Sequence, residues 1–156
     1  MKKLLLLFLI AGLTGCATAD QPSSVKLLKL NYDKSYPVDI WIESGENQVG
    51  AYTVTLEYDA GIVNIKNIIV PTGYNSFPGS PMANQATFTT GKTIITGFYP
   101  GKNSLSGRVK IATVTFQAIN PGTSPFKTTL QNLYNYSSQP LKGKVILSTD
   151  SITVSK

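Results

Sequence analysis

Between residues 36 and 58 the chain twice alternates apolar and polar side chains with a period of two, the pattern of a half-buried β-strand. In 36–43, Val38, Ile40 and Ile42 fall on one side and Asp39, Trp41 and Glu43 on the other. In 51–58, Tyr52, Val54, Leu56 and Tyr58 oppose Thr53, Thr55 and Glu57. A helix would scatter either set around its circumference, so neither segment suits one. Segments 25–32, 62–70, 85–90, 93–99, 109–119, 126–134 and 145–154 are also rich in β-branched and aromatic residues. They read as strands bounded by Gly, Pro, Asn and Ser. Segments 85–90 and 93–99 are expected to pair as a hairpin around Thr90-Gly91. In 109–119 the apolar positions change parity, from Val109 and Ile111 to Val114, Phe116 and Ala118, which predicts a bulge near Ala112. A stretch rich in Pro, Gly, Ser and Asn makes 71–84 a long loop.

About nine short strands, each with one wet and one buried face, predict an all-β fold, an antiparallel β-sandwich. Outside the amino terminus no segment has a 3.6-residue period. A chain of this size buries roughly two thirds of its unfolded surface, enough for a stable core without disulfides.

The amino terminus has a different logic. Lys2 and Lys3 precede an apolar run from Leu4 to Gly12. Its length of about nine residues suits a signal-peptide core and falls short of the roughly 20 residues that cross a bilayer. Leu13-Thr14-Gly15-Cys16 then resembles the bacterial lipobox, with small residues before an obligatory cysteine. The expectation is removal of 1–15, lipidation of Cys16 and a short polar tether over 16–24 that leads into one domain over 25–156. Residues 17–24 reach at most about 26 Å when extended, which keeps the module near its membrane. Two acyl chains on the diacylglyceryl group, with a third on the new amino terminus, give lasting attachment. Cys16 is the only cysteine, so no disulfide forms within the chain. Ala17, rather than aspartate, after the cysteine matches sorting to the outer membrane if the host is Gram-negative.

Several chemistries are excluded by composition. There is no histidine, which removes Ser-His-Asp and Cys-His arrangements and His-based zinc sites. Asp39 and Glu43 share a strand face but stand about 13 Å apart along it, beyond the roughly 5 to 9.5 Å of glycosidase carboxylates. Asp59 could meet Asp33 or Asp150 only through the fold. No calcium or phosphate-binding loop is present, so no cofactor or metal is expected. The 14 Lys and Arg, less Lys2 and Lys3, against 8 Asp and Glu leave a net charge of about +4 on the remainder. These cations are scattered and build no nucleic-acid footprint. The chain reads as a binding module, not an enzyme.

Three stretches resemble the cohesin domain, the module that receives dockerins in cellulosome assembly. Residues 49–63 (VGAYTVTLEYDAGIV) follow its glycine, alternating strand and Tyr-Asp turn. Residues 111–118 (IATVTFQA) with Pro121-Gly122-Thr123-Ser124 resemble its Leu-Ala-x-Ile-x-Phe-x-Val stretch and the Ala-x-Gly-Thr-Ser that follows. Ser151-Ile152-Thr153-Val154 follows its closing strand. The resemblance runs over about 115 residues and implies a nine-stranded jelly roll, an architecture shared with carbohydrate-binding modules. It implies a dockerin-like protein partner met on a flat sheet face. Where the family carries polar Asn and Asp on the strand before Tyr-Asp, this chain has Ala51 and Thr53, and Ala60 replaces the usual proline.

Candidate contacts follow from strand parity. Thr53, Thr55 and Glu57 form a polar row, either a partner-binding ridge or an ordinary solvated face. Trp41, beside Asp39 and Glu43, either stacks on a sugar or an interface, or packs beneath 25–32 or a loop. Tyr74 in the long loop and Tyr99 at a strand end suit a glycan, or else plug an end of the sandwich. Tyr134 and Tyr136 alternate and would form a two-ring platform, or else cover the rim of the core. The leading expectation is a membrane-anchored module that docks a dockerin-like protein or an envelope component. The alternative is a polysaccharide-binding lipoprotein.

Overall fold

The computed structural model describes residues 34–102 and 105–155. The leader 1–15, Cys16, the tether and the expected strand 25–32 lie outside the described residues. Ten strands lie among the described residues: β1 (Ser35–Glu43), β2 (Ala51–Glu57), β3 (Val63–Ile69), β4 (Met82–Ala83), β5 (Lys92–Phe98), β6 (Arg108–Ala118), β7 (Gly122–Pro125), β8 (Lys127–Tyr134), β9 (Lys144–Leu147) and β10 (Ser151–Val154). One four-stranded sheet has the order β3-β6-β1-β9, and the other β4-β5-β2-β8. A two-stranded ribbon pairs β10 with β7. Every pairing between these strands is antiparallel, so the all-β sandwich expected from alternation is the one observed.

The parity of the central strands builds the core. Val38, Ile40 and Ile42 of β1 are buried, as are Tyr52, Val54 and Leu56 of β2. Aromatic clusters extend this core. Phe116 stacks on Phe126 at 4.9 Å and meets the Tyr58 ring edge-on at 5.3 Å. Phe77 meets Tyr52 edge-on at 5.2 Å and Tyr99 at 6.4 Å. Burial raises the phenol pKa of both Tyr52 and Tyr58 above its ordinary value.

The parity change in 109–119 is a bulge on β6. Ile40 faces Ala112 and Trp41 faces Lys110, which leaves Ile111 as the extra residue. Ile111 and Ala112 are therefore both buried, one residue apart.

Three expectations are corrected. Segment 85–90 is not a strand: Gln85–Thr87 is a 3-10 turn. The Asn84 carboxamide accepts from Ala86 N–H at 3.0 Å, and Thr87 Oγ1 donates to the Asn84 carbonyl at 2.6 Å. Local side-chain bonds thus outcompete β-propensity, and β5 pairs with β4 and β2 instead. Segment 145–154 splits into β9 and β10, which lie in different sheets. Ser148 marks the break, since its hydroxyl accepts from Asp39 N–H and its own N–H donates to the Asp39 carbonyl, each at 3.0 Å. The loop expected over 71–84 contains the short strand β4, which pairs with β5.

Candidate functional site

Residues opposite one another in the antiparallel ladders of β4-β5-β2-β8 share a face. Because Tyr52, Val54 and Leu56 point into the core, Ala51, Thr53, Thr55 and Glu57 point outward with their lateral partners. Four rows result. Lys92, Glu57 and Lys127 form the first, and Ile94, Thr55 and Thr129 the second. Met82, Thr96, Thr53 and Asn132 form the third, and Phe98, Ala51 and Tyr134 the fourth. The face is charged at one end, rich in threonine in the middle and apolar at the other end.

Met82, Ile94, Phe98 and Tyr134 are between 37% and 60% exposed. The charged row is tied by an ion pair of 3.3 Å between Lys92 Nζ and Glu57 Oε1. Thr53 and Glu57 lie on this face as the row requires, both half-buried. Thr55 does not reach solvent. It is 3% exposed, on the central strand between Ile94 and Thr129, which correct its expected place in an exposed ridge. Its Oγ1 has no hydrogen-bond partner among the described residues.

Trp41 lies on the outer face of the other sheet, half-buried, with the Arg108 guanidinium 4.7 Å and the Lys110 ammonium 5.9 Å from its ring centroid. The neighbouring Asp39 is engaged. Its Oδ1 accepts from Thr113 Oγ1 at 2.6 Å and pairs with Lys110 Nζ at 2.8 Å. The ring thus faces protein cations, with spacing suited to cation–π attraction.

Tyr74 is 99% exposed. Its loop is held by the next residue: Asn75 adopts φ 53° and donates from Nδ2 to the carbonyls of Ser106 at 3.0 Å and Arg108 at 2.8 Å. Tyr99 is half-buried against Phe77, as an end plug would be. Tyr134 and Tyr136 do not share a strand, which corrects the expected platform. β8 ends at Tyr134, and Asn135 Oδ1 then accepts from Ser137 and Gln139 N–H at 2.9 Å, turning the chain beneath Tyr136. Among the described residues no ring pair joins two of Trp41, Tyr74, Tyr99, Tyr134 and Tyr136.

Strand β5 adds apolar side chains to this outer face. Its apolar Ile94 and Phe98 face outward while Thr93, Ile95 and Gly97 face the core. The available signal is Gly97, which sits opposite Tyr52 where a Cβ would collide with the Tyr52 ring. Asp59 serves a turn, its Oδ1 accepting from Gly61 N–H at 2.8 Å. No group of three or more His, Cys, Asp or Glu suited to a metal occurs among the described residues.

No family model and no curated protein matches the chain. Solved structures do match. The architecture is that of a jelly-roll sandwich, and within that class the fold is that of cohesin domains. The cohesin module of a Clostridium perfringens family 33 glycoside hydrolase is 15% identical, with 81% of this chain and 93% of that one covered at a TM-score of 0.58. A non-cellulosomal cohesin from the archaeon Archaeoglobus fulgidus is 14% identical, with 70% and 73% covered at a TM-score of 0.55. A type I cohesin–dockerin complex from Clostridium thermocellum contains a chain 11% identical, with 70% and 82% covered at a TM-score of 0.53.

Proposed function

We propose that this chain is a membrane-anchored, cohesin-like docking module that receives a protein partner through the outer face of β4-β5-β2-β8. The partner is dockerin-like or a component of the cell envelope. The observation that carries the reading is the set Met82, Ile94, Phe98 and Tyr134, exposed on one face of one sheet beside a charged row. Exposed apolar side chains gathered on one rigid face mark interaction sites more often than chance surface. Solved neighbours of the same fold include cohesins in complex with dockerins. Ala51 and Thr53 replace the polar residues of the family pattern, so the partner contacts this reading requires are apolar and threonine-rich. The lipobox-like Leu13-Thr14-Gly15-Cys16 supports anchoring through acyl chains at Cys16, with outer-membrane sorting in a Gram-negative host.

The test is a pull-down from the native envelope and secretome, with the full chain in detergent micelles as bait and a glycan array run in parallel. A discrete protein partner weakened by Glu57→Lys supports docking. Glycan binding without a protein partner, lost in Trp41→Ala or Tyr134→Ala, replaces this reading with the polysaccharide-binding one.

A further inference from the structure

Ala51 is the smallest outward side chain on β2, and its two lateral partners are both exposed aromatics, Phe98 on β5 and Tyr134 on β8. Strands in a sheet lie about 4.8 Å apart, so the two aromatic Cα positions stand roughly 10 Å from each other with only a methyl group between them. Two large rings around one small residue make a notch with apolar walls and an apolar floor. At the far end of the same strand the pattern is inverted. Glu57 is flanked by Lys92 and Lys127, two cations around one carboxylate, for a row charge of +1. Lys92 holds Glu57 at 3.3 Å, and Lys127 stands on the other side, exposed. Six residues of extended strand separate the two ends, a distance of about 20 Å.

Building on the proposed docking face, we infer that the notch over Ala51 takes one aliphatic side chain of the protein partner, and that the partner sets a carboxylate against Lys127 and Lys92 about 20 Å away. The notch fits the chemistry of Leu, Ile or Met, whose branched or flexible ends fill a gap between two rings. The charged row asks for an acid because its surplus charge is positive. One end apolar and one end cationic also fix the direction in which a partner lies along β2. Ala51 is thereby a specificity-determining residue: a bulkier side chain closes the notch without touching the core, since Tyr52, Val54 and Leu56 carry the inward packing.

The experiment uses a displayed library of 20-residue peptides selected against the full chain in detergent micelles. The recovered peptides are then titrated, well below the unfolding transition, against variants whose β-type circular dichroism matches the parent. Recovered peptides are expected to carry an aliphatic residue and an acidic one. Their affinity is expected to fall about tenfold or more on Ala51→Leu and on Lys127→Glu, in line with loss of one buried anchor or one close charge pair. Trp41→Ala, on the opposite sheet, is expected to stay within about twofold. Unchanged affinity for Ala51→Leu with loss on Lys127→Glu overturns the notch and leaves the docking face standing. Affinity unchanged by both and lost on Trp41→Ala overturns the notch and the docking face together. A library that yields no binder sensitive to Ala51→Leu also overturns the notch.

Discussion

The Tyr52 hydroxyl donates a hydrogen bond to the backbone carbonyl of Ile111 at 3.0 Å, tying the central strand of one sheet to the bulge of the other. A bulge leaves one residue out of the ladder, so its backbone groups need partners elsewhere. Here the partner is a phenol that crosses the core, and Gly97 opposite Tyr52 leaves room for its ring. Tyr52→Phe keeps the ring and strands the Ile111 carbonyl. It is expected to destabilise the fold by about 1 kcal/mol, measured by urea denaturation.

The same residue gives the fold an alkaline limit. Burial raises the Tyr52 pKa above its ordinary 10, so the unfolded chain loses this proton before the folded one does. Its contribution is complete below pH 10 and is lost as pH rises toward the folded-state value. Stability is therefore expected to decline above pH 10. The decline should be shallower in Tyr52→Phe, with the remainder shared by Tyr58, whose pKa burial also raises. Denaturation series at pH 8 to 11 on both proteins check this.

Trp41 and Arg108 lie on the sheet away from the proposed docking face, with ring centroid and guanidinium 4.7 Å apart. Trp41→Ala removes this contact and a half-buried ring. The expected cost is about 1–2 kcal/mol of stability, the cation–π part near 0.5–1. Partner affinity is expected to stay within about twofold, because separate sites act additively.

The proposed lipidation of Cys16 predicts a membrane location for the protein. Cys16→Ser is expected to move it from the membrane pellet to the soluble fraction after cell fractionation and immunoblotting. Retention of the variant in the pellet at the parent level would refute acyl anchoring.

Much of this architecture was legible because burial is one-sided. Val38, Ile40 and Ile42 in β1, and Tyr52, Val54 and Leu56 in β2, expose strand parity directly. The bulge was readable within one residue, since Ile111 and Ala112 are buried in succession. What the sequence hid was decided by local bonds or by neighbours. Asn84 curls 85–87 into a turn although Ala86 and Phe88 alternate like a strand. Asn135 ends the alternation between Tyr134 and Tyr136. Thr55 is polar yet shielded, because a central strand takes cover from both sides. In β5 both parities carry apolar residues, so only pairing with β2 shows that Ile94 and Phe98 face outward while Ile95 faces the core. Strand identity is written in one segment, whereas face membership depends on two.

The proposed function places the partner on the β4-β5-β2-β8 face. The most direct measurement is the affinity of the pulled-down partner for the parent chain, Phe98→Asp and Trp41→Ala, by biolayer interferometry. Docking on this face predicts a loss of about 30-fold or more for Phe98→Asp, the scale of a hot-spot residue, and a change within about twofold for Trp41→Ala. Equal affinity for the parent and Phe98→Asp, with loss on Trp41→Ala, would contradict it.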